Sequence, residues 1–169
     1  YINTSGIGEV YYKGLSIERI KIGDSVIING PIGDHAISVL SKREGIAFAS
    51  KVSSDSSPLN GLITGILKAS RKVRFMRDPT RGGVATTLNE IVKERPFGIS
   101  MDEEKIPMRA AVKEACELLG FDPLYLACEG RVVIIAARED TGEILKAMRS
   151  DRLGRMARVS RTAVVTRRR

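Results

Sequence analysis

A chain of 169 residues with 43% hydrophobic and 28% charged side chains has room for one domain with a substantial core, not for several domains. It contains no apolar run of 18 residues, so no membrane-spanning helix is expected, and its two cysteines, Cys116 and Cys128, form no disulfide framework and suit a reducing cytoplasm. The net charge of +8 is uneven: from Arg149 onward eight arginines meet one acid, Asp151, which is +7, so everything before carries +1.

In chain order, residues 1–22 read as a lead-in with Gly6, Gly8 and Gly14, connecting from a missing upstream domain and including an edge strand. The first residue is Tyr1, so a piece of a longer protein is expected. Val26 to Asn29 is a short apolar run before Gly30 and Pro31, the pattern of a buried strand and turn. Asp34 to Glu44 predicts a helix. Ser57 and Pro58 predict the N-cap and first residue of the next, with Leu59, Leu62, Ile63, Ile66 and Leu67 as its apolar stripe to about Arg71. Val73 to Met76 predicts a strand, Gly82 to Glu94 a helix stopped by Pro96, and Phe97 to Met101 a strand. Pro107 opens a helix that Gly120 ends. Arg131 to Ala137, rich in β-branched residues, predicts a buried strand, Thr141 to Met148 an amphipathic helix, and Ala157 to Val165 the last strand. Strands alternating with helices predict an α/β sheet covered by helices.

The residues that carry chemistry fall mostly in turns. In the run from Arg77 to Ile91, Gly82 and Gly83 precede a helix whose Val84, Leu88 and Ile91 share one face. A helix N-terminus offers free N–H groups to anions, and glycine lets the backbone approach a phosphate. Asp78, Thr80, Arg81, Gly82 and Gly83 are therefore candidate phosphate-binding residues, with Asp78 serving a metal ion or orienting Arg81. The alternative is a tight strand-to-helix turn with Thr80 near the cap. Asp34 and His35 lie in a glycine-flanked turn, where they contact a nucleotide or a neighbouring domain, or where Asp34 caps the helix. Asp55, flanked by serines, reaches into a cleft or caps the helix after it. Glu129, before Gly130 at the mouth of a buried strand, is the candidate for proton transfer, because a carboxylate desolvated there would have a raised pKa. The alternative is an ordinary turn acid.

His35 is the only histidine and no nucleophile elbow surrounds Ser38 or Ser41, which argues against a hydrolase. Two cysteines and one histidine at unrelated spacings make no zinc site, so no metal site is assigned to this chain. Cys128 reads as a buried thiol rather than a nucleophile. Arg149, Arg152, Arg155, Arg158 and Arg161 recur every three residues, which matches neither a helix face nor a strand face. They read as a solvated end, or alternatively as an electrostatic patch. No aromatic residue lies among them to stack on bases, so nucleic acid is not an expected partner. The absence of Gln beside so many charges leans toward a thermophilic source.

Taken together and in order, five segments resemble the motifs of the hydrogenase expression/formation protein HypE family, in the AIR-synthase-related, PurM-like superfamily. They are the Arg77–Ile91 run; Gly23 to Gly30 with Ile32-Gly33-Asp34-His35; Ser54-Asp55-Ser56-Ser57-Pro58-Leu59; Leu118 to Tyr125; and Glu129-Gly130. The resemblance spans roughly residues 3–160. It implies an α/β (α+β) fold of the PurM C-terminal-domain kind over residues 23–165, with a mixed β-sheet between helical layers and partly ferredoxin-like topology. Residues 1–22 would then lead in from a missing N-terminal ATP-binding domain, and 166–169 would be a basic, truncated end.

The resemblance also implies function. Family members use ATP with Mg²⁺, bound mainly through the missing domain, which also forms their homodimer. HypF carbamoylates a terminal cysteine, the S-carboxamide is dehydrated to an S-thiocyanate at the expense of ATP, and cyanide passes to iron on the HypC–HypD complex for [NiFe]-hydrogenase. Glu129 would handle the carbamoyl group and the Asp78–Gly83 loop the phosphate. This sequence departs from the family at Cys128, where Asn is usual, at Ala36, where Gly is favoured, and in having no Pro-Arg-Ile-Cys tail. The chain alone is therefore not expected to complete the reaction. Selenophosphate synthetase or aminoimidazole-ribonucleotide synthetase relatives carry other residues at the Asp78–Gly83 position, and a non-catalytic basic module would rest on the arginine-rich end.

Overall fold

Side-chain alternation along two short apolar strands decides how the layers stack. In β1 (Ser25–Ile28), Val26 and Ile28 join one core cluster and Ile27 the other. In β4 (Val133–Ala136), Val133 and Ile135 join the first cluster and Ile134 and Ala136 the second. Both strands are buried throughout, as expected for strands covered on both faces. The computed structural model describes residues 2–3, 5–10, 12–48 and 52–166, without the side chains of 160–163. Arg167, Arg168 and Arg169 of the arginine-rich end, and the Arg161 side chain, lie outside the described residues.

On one face, α3 (Gly83–Val92) buries Val84, Leu88 and Ile91 against the sheet. On the other, α2 (Asn60–Ala69) contributes Leu62, Ile66 and Leu67, and α5 (Thr141–Ser150) contributes Ile144 and Met148. The predicted stripe of α2 is thus its buried face. A third, smaller cluster joins Ile37 of α1 (Asp34–Glu44) to Val112, Ala115 and Cys116 of α4 (Ala110–Leu119).

The remaining strands are β2 (Val73–Arg77), β3 (Phe97–Ser100) and β5 (Arg158–Thr166), giving the order β2-β4-β1-β5-β3. The helix-covered sheet expected from the sequence is present. Where a mixed sheet was expected, all four described pairings are antiparallel. Two helix-joined pairs nevertheless run parallel with another strand between them: β4 separates β1 from β2, and β1 separates β4 from β5. These are split β-α-β units, the ferredoxin-like part of the topology. Among the described residues no helix is long and apolar enough to cross a membrane.

Three local expectations shift. α2 begins at Asn60 with Leu59 as its N-cap, so Ser57 and Pro58 stand ahead of the helix rather than starting it. α4 begins at Ala110, because Pro107 is committed elsewhere: its carbonyl accepts the Ile32 N–H at 2.9 Å. The arginine-rich segment keeps Arg149, Arg152, Arg155 and Arg158 exposed but is anchored, since Arg149 donates to the Ala157 carbonyl at 3.0 Å and ties the end of α5 to the approach to β5.

Candidate functional site

Strand register gathers the predicted residues at one end of the sheet. Val133 opens β4 opposite both Ile28, the last residue of β1, and Arg77, the last of β2. The turn after β1, the loop after β2 and the turn before β4 therefore meet. Those three segments hold Asp34 and His35, Asp78 to Gly83, and Glu129.

The loop after β2 makes its bend with two consecutive left-handed glycines, Gly82 (φ 67°) and Gly83 (φ 65°), a conformation that side chains resist. A Cβ on Gly83 would lie 2.3 Å from the Leu124 carbonyl oxygen and 2.8 Å from that of Leu126. The close approach that the glycine permits is thus to the 124–126 backbone, and Gly83 is buried rather than open to a phosphate. Asp78, Arg81 and Gly82 are exposed. Gly82, not Thr80, is the N-cap of α3. Thr80 turns inward and donates to the Cys128 carbonyl at 3.3 Å, while the Cys128 N–H donates to the Pro79 carbonyl at 3.2 Å. Two hydrogen bonds thus fasten the Asp78 loop to the residue just before Glu129.

Glu129 itself is exposed. The desolvation expected of it is absent from this chain, because the turn lifts its side chain to the surface while Cys128 and Gly130 on either side go under. Its N–H donates to Asp55 Oδ1 at 3.1 Å. Asp55 is therefore not a helix cap: it is 8% exposed, bonded to the Glu129 turn, and one of the residues lining a cavity there.

Asp34 is not a cap either. Gly33 occupies that position and makes no side-chain cap bond. Asp34 Oδ2 instead accepts from Arg109 Nε at 3.0 Å and lies 3.5 Å from Arg131 Nη2. Burial holds the Asp34 carboxyl above its ordinary value of 3.8; Arg109 and then Arg131 pull it back without cancelling the effect, and Asp55 adds to it. His35 Nδ1 shares a hydrogen bond with Ser54 Oγ at 2.9 Å, pinning the 53–57 segment over α1.

Arg131 is the residue that the sequence reading passed over. It is 7% exposed. Its Nε donates to the Pro31 carbonyl at 2.5 Å and lies 3.4 Å from Asp55 Oδ2, and Nη1 donates to the Gly130 carbonyl at 2.9 Å. A cation heading the apolar run Val132 to Ala137 was the available signal, since such a charge is tolerated inside only when paired. Asn29 does similar work beside it. It is fully buried, donates to the Gly130 and Leu153 carbonyls, and accepts the Val132 N–H at 2.9 Å.

A cavity of about 240 Å³ opens over this network, lined by Asp34, Asp55, Arg109, Arg131, Ser57 and Arg152 among others. Glu129 and the Asp78 loop adjoin one another outside it. Among the described residues no three His, Cys, Asp or Glu side chains converge as a metal site.

Cys128 is fully buried, accepting the Gly33 N–H at 3.4 Å. Burial above all pushes its thiol up to about 12 from 9.0. It is a protonated packing group at neutral pH and no nucleophile. The unfolded chain releases this proton from about pH 9 and the folded chain only near 12, so stability falls as pH rises through that window, by up to about 1.4 kcal/mol per unit. Urea titrations between pH 8 and 10.5 are expected to show this slope, and Cys128→Ala to reduce it to the part that Cys116, also raised by burial, contributes; an unchanged slope in the variant contradicts the assignment.

Residues 21–166 match the family model described as AIR synthase related protein, C-terminal domain. The chain is 46% identical over 159 residues to carbamoyl dehydratase HypE of Bradyrhizobium diazoefficiens, covering 93% of this chain and 46% of that protein. Its backbone is similar to a solved HypE–HypF complex, with a TM-score of 0.88 at 42% identity over 92% of this chain and 52% of that one. It is also similar to HypE solved in complex with ATP, with a TM-score of 0.82 at 38% identity over 89% and 45% of the two chains. The chain spans about half the length of the curated relatives it matches.

Proposed function

The chain belongs to the AIR synthase related family as a C-terminal domain, and from that premise we propose that it is the C-terminal half of a HypE-type carbamoyl dehydratase. The single observation that carries this reading is the pair of hydrogen bonds between the Pro79–Thr80 segment and Cys128, Cys128 N–H to the Pro79 carbonyl and Thr80 to the Cys128 carbonyl, which ties the Asp78–Gly82 loop to the residue before Glu129. Residues 23–165 form the domain. Residues 1–22 lead in from an N-terminal ATP-binding domain, and 166–169 are the basic end.

The chemistry such a junction suits is dehydration of a primary carboxamide. An amide oxygen is a poor leaving group. Attack of that oxygen on the γ-phosphorus of ATP releases ADP and leaves the oxygen phosphorylated. Removal of the two nitrogen protons, as the C–O bond breaks and phosphate departs, forms the nitrile carbon–nitrogen triple bond. On a cysteine S-carboxamide the product is an S-thiocyanate. Glu129 is the proton acceptor in this scheme. Arg81 and the Gly82 backbone face the phosphoryl group, where positive charge and N–H dipoles favour phosphoryl transfer, and Asp78 orients Arg81. Gly83 and Thr80 shape that loop from beneath. ATP would arrive with Mg²⁺, whose ligands the N-terminal domain would have to supply. A HypF-type carbamoyl donor, a HypC–HypD-type acceptor, a homodimer built through the N-terminal domain and a cytoplasmic location complete the proposal.

The test replaces the matching segment of the Bradyrhizobium diazoefficiens relative with this chain and follows ADP release and thiocyanate formation from a carbamoylated C-terminal cysteine. Turnover is expected from the two-domain hybrid and none from residues 1–169 alone. A correctly folded hybrid that binds ATP but forms no thiocyanate, or turnover by the isolated chain, overturns the reading.

A further inference from the structure

We propose that Asp55 is the positioning residue for Glu129, a role that rests on Glu129 being the proton acceptor. The backbone around Glu129 is clamped from two sides. Cys128 is held by Pro79 and Thr80 of the phosphate loop. The next peptide N–H, that of Glu129 itself, is held by Asp55 Oδ1. Gly130 then passes so close to Asp55 that a Cβ there would lie 1.8 Å from the Asp55 carbonyl oxygen. The chain turns sharply at the one exposed residue between two buried ones, and Asp55 is the group against which it turns.

Asp55 is itself buried and held on both carboxylate oxygens' sides. It is 8% exposed, and its second oxygen, Oδ2, makes no hydrogen bond but lies 3.4 Å from Arg131 Nε. Arg131 is locked by the Pro31 and Gly130 carbonyls and reaches on to Asp34. One carboxylate oxygen thus aims the Glu129 peptide and the other answers a buried cation. The division of labour separates two effects chemically. Asparagine retains an acceptor for the Glu129 N–H but removes the charge facing Arg131; alanine removes both.

Two measurements on Asp55→Asn and Asp55→Ala test this. In the isolated chain, hydrogen exchange of the Glu129 amide is expected to accelerate at least about tenfold in Asp55→Ala and to stay near the unsubstituted rate in Asp55→Asn, because only the alanine removes the acceptor. In the two-domain hybrid, Asp55→Ala is expected to lower kcat roughly 10–100-fold with the KM for ATP unchanged, since a small misplacement of a reacting group has effects of that size. Asp55→Asn is expected to keep kcat within about threefold although both variants lose stability with the ion pair to Arg131. Activity that tracks stability alike in both variants, or a Glu129 amide equally protected in Asp55→Ala, overturns the proposal. A wild-type hybrid without turnover removes the dehydratase reading, and with it the catalytic half of this one, while the exchange rates still decide whether Asp55 holds the Glu129 peptide.

Discussion

Exchanging Glu129 for glutamine is expected to lower kcat of the two-domain hybrid by roughly 10²–10⁴-fold, the usual worth of a positioned proton-transfer group. Glutamine keeps the length and the exposure of the side chain. Its main-chain N–H still meets Asp55, and Gly130 still fits against the 55 carbonyl. The fold should therefore be untouched, with stability within about 0.5 kcal/mol of the parent as for a surface substitution. ATP binding should also persist, because no atom of Glu129 belongs to the Asp78 loop. Chemistry alone is removed, so ATP affinity and thiocyanate formation should separate cleanly. Measured kcat within a few-fold of the parent would show that another group takes the protons.

The largest effect on stability is expected from Arg131→Met. Methionine fills the volume of the stem but removes the buried cation that Asp34 and Asp55 share and leaves the Pro31 carbonyl without that donor, while the Gly130 carbonyl keeps only Asn29 and Asp34 only Arg109. Breaking a buried pair from one side typically costs about 3–5 kcal/mol, a large part of the ~5–15 kcal/mol that holds a domain together. The deficit should depend on pH. Asp34 has a carboxyl raised by burial, so folding strengthens its hold on a proton. A group raised in this way favours the folded state at low pH and loses that contribution as pH rises through the folded value. Removing Arg131 takes away one of the charges that opposes the rise, so the variant should recover stability relative to the parent as pH falls from 7 toward 4. Urea midpoints at the two pH values measure this. A deficit that does not shrink on acidification would mean that packing, not charge, is what Arg131 contributes.

A single network makes these two results independent. Arg131 lies under the turn and Glu129 on top of it, with Asp55 between them. Damage below alters the fold, and damage above alters only the chemistry.

Much of this was readable along the chain because it is local. The unbroken apolar run of Val26 to Ile28 and the spacing of Leu62, Ile66, Val84, Leu88 and Ile91 are properties of neighbours in sequence; the first marks a strand buried on both faces and the second the helix faces that became core. The glycine pair marked a tight strand-to-helix turn, which both residues make with positive φ. The order of motifs pointed to the family before any coordinate did. What the chain order could not contain is which distant groups meet. Glu129 finds Asp55 74 residues away, Arg109 finds Asp34 75 residues away, and Arg131 finds Asp34 97 residues away. Those meetings follow from the order β2-β4-β1-β5-β3 and from the antiparallel direction of each pair, neither of which is encoded in periodicity. Tertiary structure therefore turned two supposed caps, Asp34 and Asp55, into members of a buried ion network, closed Gly83 against a backbone, and raised Glu129 to the surface. Local pattern selects which face of an element avoids water. Only the packing of those faces determines which polar ends are left facing one another, and there each buried charge must find its partner or be destabilising.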